Sequence, residues 1–295
     1  MRHSHNPPTS SAAPEHNRTH KVIPTTAHYS PLAAQLPSPR HFHAIIEGMD
    51  ELTVTAVLFD VDGTLINHEA ATTAAVNEVF RAHPDNHAID EEQLTQRWLT
   101  LQEAAMDRYF AGELTFIEQR RWRVAALYSE LGLGPIGDYE ADEWFDQYVP
   151  HYEAAWRVFP DVPPMLAELA ARFPQLRLGV ITNGSAEQQR RKLGRVGLAE
   201  ALPHVTVSSE VGVAKPDAGI FSTACEQVDC EPHEVVYIGD RLDTDAQAAI
   251  NAGLQGIWLD RHGTKNSDTP RITTLSSLPE LLPNLAGLKA GESSS

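Results

Sequence analysis

The pattern of apolar and polar positions changes abruptly at Thr53. Residues 1–50 show neither a helical nor a strand period, and they hold seven of the fourteen histidines and seven of the twenty prolines. Such a segment is expected to be a disordered tail. From Val54 short β-branched and apolar runs begin: Val54–Phe59 (VTAVLF), Leu176–Ile181, Val205–Val207, Val235–Ile238 and Ile257–Leu259. Runs without a polar face read as parallel strands covered on both sides. Helical periods separate them over Ala186–Val196, Ala218–Val228 and Thr244–Ala252. This alternation predicts an α/β fold with a doubly wound, Rossmann-like parallel sheet and ligands at the carboxyl ends of its strands.

One stretch breaks the alternation. Between Ala70 and Arg157 no strand pattern occurs. Asp90 can cap a helix running to Phe110, Thr115-Phe116-Ile117-Glu118 has the form of a capping box, and Asp138 can open a further helix. Twelve of the 21 aromatic residues fall between Trp98 and Trp156. They can form the core of a small bundle, or line a cap whose concave side meets a ligand. The expected organisation is a tail (1–50), an α/β core (51–69 and 158–286), an inserted all-helical cap (70–157) and a frayed polar end (287–295).

Charge narrows the possibilities. The 295 residues carry 23 Lys+Arg against 40 Asp+Glu, a net charge of −17. Such a surface repels phosphate polymers, which excludes a general nucleic-acid binder. No apolar run approaches the ~18 residues that a membrane-spanning helix needs, and no basic segment leads into an apolar one at the start. Two cysteines five residues apart, Cys225 and Cys230, form neither a redox pair nor half a zinc site. The expectation is reduced thiols and a cytoplasmic protein. In the tail, His16, His20, His41 and His43 offer a weak metal tract, the scarcity of acids before Glu47 fits a presequence, and Met49 is a credible alternative start. Gly132-Leu133-Gly134-Pro135-Ile136-Gly137 matches a dinucleotide-binding loop by letter only, since it follows a helix and has Pro in its turn. Residues 85–156 hold fifteen acids and five arginines, which discourages substrates with several phosphates; Arg120, Arg121 and Arg123 are either one positive spot or a salt-bridged surface.

Four segments carry the chemistry, each at an expected strand end. Phe59-Asp60-Val61-Asp62-Gly63-Thr64-Leu65 places two carboxylates beyond an apolar strand, which is costly unless a cation sits there. Ile181-Thr182-Asn183-Gly184 supplies a hydroxyl and an amide before a helix. Ala214-Lys215-Pro216-Asp217 holds one of only five lysines. Ile238-Gly239-Asp240-Arg241-Leu242-Asp243-Thr244-Asp245 ends a further strand in acids.

This ordered set resembles the haloacid dehalogenase-like superfamily of hydrolases over residues 54–283, with the helical insert similar to its C1 cap and the nearest likeness to nucleotidase- and acylneuraminate-phosphatase-like members. Arg241 departs from the pattern, which often has Ser there. The resemblance implies a phosphomonoester hydrolase acting on a small phosphorylated metabolite, a nucleoside monophosphate or sugar phosphate. Asp60 would be the nucleophile, forming an aspartyl-phosphate; a carboxylate is already anionic at neutral pH and needs no base. Mg²⁺ would be held by Asp60, Asp240 and the backbone carbonyl of Asp62, a hard-oxygen set. Lys215 and Thr182, with Asn183 beside them, would bind the phosphoryl oxygens. Asp62 would protonate the leaving alcohol and later take a proton from water. Asp245, more than Asp243, would orient metal-bound water, and Thr64 would support the first motif. A 2-haloacid dehalogenase is expected to lack an acid at position 62. A phosphomutase would share every motif, and a silent binding module would need these residues for metal alone. Oligomeric state is not legible.

Overall fold

The structure, a computed structural model, describes residues 54–83, 90–263 and 267–285. The expected tail (1–50) and C-terminal end (287–295) lie outside the described residues.

Six strands form one parallel sheet in the order β3-β2-β1-β4-β5-β6: β1 (Ala56–Phe59), β2 (Arg177–Thr182), β3 (His204–Val207), β4 (Val235–Gly239), β5 (Gln255–Leu259) and β6 (Arg271–Ile272). The pairing β1 to β4 sets Phe59 beside Ile238, and β1 to β2 sets Phe59 beside Val180. Strand side chains alternate between faces, so both faces of a covered sheet must be apolar. Val57, Phe59, Val236 and Ile238 join one buried cluster; Ala56, Leu58, Val235 and Tyr237 join the other with Ile220 and Phe221. The chain leaves β1 for β2 and β3 on one side, then returns to β4 on the other. A crevice opens at such a reversal, at the carboxyl ends of β1 and β4.

Between β1 and β2 every regular element among the described residues is helical, apart from isolated bridges of Ile66 with Asp62 and Val158 at the base of the insert. It comprises α1 (His68–Arg81), α2 (Glu91–Phe110), α3 (Phe116–Glu130) and α4 (Asp138–Ala154), and α5 (Val162–Arg172) leads back to the sheet. Asp90 caps α2 through Gln93 N, and Thr115 with Glu118 closes the expected capping box on α3. Along α4, Trp144, Tyr148 and Tyr152 lie four residues apart and stack successively, at 5.4 and 5.8 Å between centroids. Trp98 of α2 packs on Trp144 at 4.7 Å. These rings are buried, as are Phe145 and Trp156, so half of the twelve aromatics are core.

Beyond β2 come α6 (Ala186–Arg195), α7 (Ala218–Gln227) and α8 (Leu278–Leu285). The helix expected over Thr244–Ala252 is irregular: a wide π turn, Leu242–Gln247, precedes a single α turn, Ala248–Asn251. There Ala246 N donates to Arg241 O, one residue further than in an α-helix, while Asp245 Oδ2 returns to accept from Arg241 N at 3.0 Å. The extra residue turns Asp245 back into the crevice. Among the described residues no helix is long and apolar enough to cross a membrane.

Candidate active site

Asp60 follows β1, and its N–H donates to Ile238 O of β4, which fixes it where the strands diverge. Its Oδ1 accepts from Lys215 Nζ at 2.6 Å, whereas its buried Oδ2 has no hydrogen-bond partner. Burial raises Asp60 to about 6 against the pull of Lys215, with Asp245 and then Asp62 adding repulsion. Asp240, one residue beyond β4, is pushed well above the usual carboxylate range by burial and by Asp60 and Asp245. Its backbone carbonyl accepts from Trp258 Nε1 at 2.9 Å, and Thr64 Oγ1 reaches Asp240 Oδ1 at 3.4 Å. Gly63 has φ +92°, and a Cβ there would stand 2.3 Å from Asp240 Oδ2. Glycine is therefore needed for both backbone shape and space.

Lys215 is the hub of the crevice. Its Nζ donates to Asp60 Oδ1, to Asp245 Oδ1 at 2.7 Å and to Tyr237 Oη at 2.9 Å. Burial opposes its charge, but Asp245 and Asp60 outweigh that and hold it above its ordinary value. Asn183 sets the position of this lysine: its Oδ1 accepts from Lys215 N at 2.9 Å and its Nδ2 donates to Lys215 O at 3.0 Å. The Asn183 amide is engaged with the lysine loop and positions Lys215, and the residue also lines the cavity where it was expected to meet phosphate. Thr182 ends β2, buried, and lines the same cavity.

Carboxylate oxygens of Asp60, Asp240 and Asp245 lie within 4.8 Å of one another. Both oxygens of Asp245 are already engaged, by Lys215 and by Arg241 N, which suits a supporting residue. Asp60 and Asp240 keep free oxygens, and the orphaned Asp60 Oδ2 fits a hard divalent cation. The Asp62 side chain takes no part in this cluster. It accepts from Lys192 Nζ at 2.6 Å on each oxygen and from Gln189 Nε2 at 3.1 Å. Burial alone would raise Asp62, but Lys192 and then His68 hold it at about 2. Any contribution of Asp62 to a metal is thus confined to its backbone.

Lys192, Gln189, His68, Gln102 and Tyr237 escaped sequence reasoning. Lys192 sits on α6, fully buried, with its Nζ 5.6 and 5.3 Å from the Tyr152 and Trp156 rings. In the sequence it is one of four basic residues in AEQQRRKLGR, and only its i, i+3 spacing from Gln189 hints at a shared face. Gln102 Nε2 donates to His68 Nε2 at 2.6 Å, which leaves the imidazole proton on Nδ1, 2.8 Å from Tyr152 Oη and 3.8 Å from Asp62 Oδ1. Burial, reinforced by Lys192 and Arg123, lowers His68 to about 4 despite Asp62, so the ring is neutral at pH 7. Arg241, the residue that departs from the motif, pairs with Glu103 of α2 at 2.8 Å and so ties the sheet to the helical insert. Asp243 is not among the three acids whose oxygens converge.

A doubly wound sheet, a helical insert after β1, and a carboxylate pair and lysine at the switch point define a hydrolase architecture. The family model for haloacid dehalogenase-like hydrolases matches residues 54–253. The chain belongs to that family. It is 31% identical to the glyceraldehyde 3-phosphate phosphatase of Methanopyrus kandleri, across 74% of this chain and 88% of that one. The human N-acylneuraminate-9-phosphatase is 28% identical over 79% of this chain and 95% of its own, and the pyrimidine 5'-nucleotidase YjjG of Escherichia coli is 28% identical over 76% and 95%. Among solved structures, the magnesium-bound putative HAD-hydrolase YfnB of Bacillus subtilis matches with a TM-score of 0.66 at 24% identity, covering 78% of this chain and 98% of that one. The chain is therefore an enzyme, a haloacid dehalogenase-like hydrolase related to phosphatases.

Proposed function

We propose that the protein is a Mg²⁺-dependent phosphomonoester hydrolase that acts on a small phosphorylated metabolite, a sugar phosphate or nucleoside monophosphate, through an aspartyl-phosphate. The observation that carries this reading is the state of Asp60: one oxygen is held by Lys215 and the other is buried and unpartnered. A carboxylate fixed in this way can attack phosphorus without reorganising. Asp60 and Asp240 would hold the metal, which would neutralise the charge of the nucleophile and the phosphoryl group.

The chain's own residues supply the rest. Lys215 places a fixed cation beside the attacking carboxylate, and Thr182 with the adjacent backbone amides offers donors to phosphoryl oxygens. Asp60 forms the bond to phosphorus as the ester bond breaks, and the leaving oxygen takes a proton from Asp62. Water then attacks the aspartyl-phosphate, gives its proton back to Asp62, and frees phosphate and Asp60. Lys192 favours anionic Asp62, the form needed in the second step. Protonation of Asp62 for the first step works against that ion pair, so esters with poor leaving groups are expected to be slower.

The cavity above these residues has a volume of about 1400 Å³ and runs from the crevice into the helical insert. It exceeds what a phosphoryl group alone needs and suits a metabolite of several carbons. Asp62 weighs against the dehalogenase reading. A cytoplasmic location remains the reading of the reduced-thiol composition, and the division into a tail (1–50), a core (51–69 and 158–286), a cap (70–157) and a polar end (287–295) is part of the proposal. Phosphate release from a panel of sugar phosphates, nucleoside monophosphates and p-nitrophenyl phosphate, with Mg²⁺ and after chelation, tests the proposal. Metal-dependent release is expected. No release from any ester, or undiminished release after chelation, overturns it.

A further inference from the structure

Among the described residues three cations are buried: Lys192, Lys215 and Arg123. Both lysines face carboxylates, Asp62 for one and Asp60 with Asp245 for the other. Arg123, on α3, does not. It is only 6% exposed, and its one polar partner is Gln102 Oε1, a neutral oxygen 2.8 Å from Nη1. Its Nε is buried without any acceptor. The guanidinium lies over Trp98 at 4.3 Å and Phe145 at 4.9 Å, and it lines the cavity shared with Asp60 and Asp62. The other cation acting on it is Arg120, which adds repulsion.

Its neighbours behave as ordinary arginines. Arg121 pairs with Asp138 and Asp142 at the surface, and Arg120 has Asp142 and Asp146 nearby. The three arginines that look equivalent in the sequence thus divide into a surface ion pair, a partly compensated cation, and one buried cation without an anion. Burying a charge is costly unless it is paired. Ring faces supply some of the compensation, yet they leave the in-plane N–H donors unused. A fork of donors on the wall of an otherwise built pocket matches a planar anion.

We infer that Arg123 is a specificity residue that binds a carboxylate at the end of the substrate remote from its phosphoryl group. This rests on the phosphomonoesterase reading and narrows the substrate class to phosphate esters that also carry a carboxylic acid. The placement agrees with the polar chain Arg123–Gln102–His68, which ends beside Asp62. One substrate can therefore span from Asp60 in the sheet to Arg123 in the insert. Gln102 holds the guanidinium and the neutral His68 in register without adding a competing anion.

The test uses two series of alkyl phosphates of graded length, one ending in a carboxylate and the other in a hydroxyl, with p-nitrophenyl phosphate as the reference ester. At the length that spans the cavity, the carboxylate ester is expected to exceed its hydroxyl counterpart in kcat/KM by about tenfold to a hundredfold, the range of a charge-assisted hydrogen-bonded pair. Arg123→Met is expected to erase that preference, and Arg123→Lys to keep part of it. A purely packing role would lower both series alike and leave their ratio unchanged. Equal kcat/KM for the two series at every length, or a preference that survives in Arg123→Met, overturns the inference. If no ester releases phosphate, the phosphatase reading fails separately. Calorimetric titration of the wild type and Arg123→Lys with the matching non-hydrolysable phosphonates then still reads the carboxylate preference, and its absence overturns the inference.

Discussion

Lys192 Nζ stands 2.6 Å from both carboxylate oxygens of Asp62, so the proposed proton shuttle is held in a bidentate ion pair by a lysine that is itself only 1% exposed. The pair joins two elements distant in sequence, the loop after β1 and the helix after β2. The Tyr152 and Trp156 rings close over the ammonium from the helical side.

Removing one partner of such a pair leaves the other charged in a partly dry site. The Asp62 side chain keeps 26% exposure, which tempers the cost. Lys192→Met is expected to lose about 2 kcal/mol in urea unfolding, below the range of a fully buried pair. Released from its partner, Asp62 also loses orientation, and kcat is expected to fall about a hundredfold. Lys192→Arg preserves the charge, introduces a forked donor suited to the carboxylate, and is expected to recover most of the stability. A Lys192→Met enzyme with unchanged kcat and unfolding midpoint would show that the pair is incidental.

The nucleophile should carry the opposite sign for stability. Asp60, Asp240 and Asp245 crowd three carboxylates around one lysine, with Asp60 Oδ2 unpartnered. Asp60→Asn removes one negative charge and still leaves Asp245 to pair with Lys215. In metal-free buffer this variant is expected to unfold at higher denaturant, by about 1 kcal/mol, the usual scale for relieving a strained functional site. Turnover and the hydroxylamine-labile phosphoenzyme are expected to vanish together. A destabilised Asp60→Asn, with the chelated wild type as reference, would contradict the charge accounting.

How far these groups could be read from the chain depends on how they are assembled. Asp60, Thr182 and Asp240 sit at or one residue beyond strand ends, where an apolar run stops at a polar residue, so local sequence announces them. Lys215 is announced by its rarity. The five principal strands are visible for the same reason, since a parallel sheet needs unbroken apolar runs. The strand β6, two residues long, is too short to show any period. Lys192, His68, Gln102 and Arg123 lie on helices, where a polar residue facing a pocket looks the same as one facing solvent. Only the cavity that α1–α4 and α6 line together with the loops at the carboxyl ends of the strands shows which of their faces turn inward. The positioning role of Asn183 was not legible because a side-chain amide at a strand end can serve a ligand or a neighbouring loop, and here it holds the loop of Lys215.

Stability should depend on pH in two windows of opposite sign. Asp60 moves from an ordinary 3.8 to about 6 and Asp240 also rises, so between these limits the folded state binds more protons than the unfolded one. Stability in metal-free buffer therefore falls as pH rises from about 4 through 6. Asp62 is lowered to about 2, so its contribution is present above 3.8 and is lost as pH drops toward 2. A metal held by Asp60 and Asp240 competes with their protons. Mg²⁺ is expected to raise the Tm more at neutral pH than near pH 5, about one unit below the Asp60 value. Thermal scans at matched ionic strength measure this; a Mg²⁺ effect that is independent of pH would sever the metal from these two carboxylates.

Gly63 and Gly112 separate backbone strain from steric displacement. Both have positive φ, +92° and +73°, so Ala at either costs about 1 kcal/mol in backbone conformation. At Gly112, in the turn between α2 and α3, nothing lies within 4 Å of a new Cβ. Gly112→Ala is therefore expected to lose only that amount and to keep its response to Mg²⁺. At Gly63 the Cβ would meet Asp240 Oδ2 at 2.3 Å and its Cγ at 2.6 Å, and the backbone of Asp240 is pinned by the Trp258 indole. The carboxylate must rotate away, which takes it from Asp60. Gly63→Ala is expected to need at least tenfold more Mg²⁺ for half-maximal thermal stabilisation, since outer changes of this kind cost about 10–100-fold in metal affinity. Paired thermal titrations of the two variants read the difference directly. Equal Mg²⁺ midpoints in both would show that the position of Asp240 does not govern the metal site.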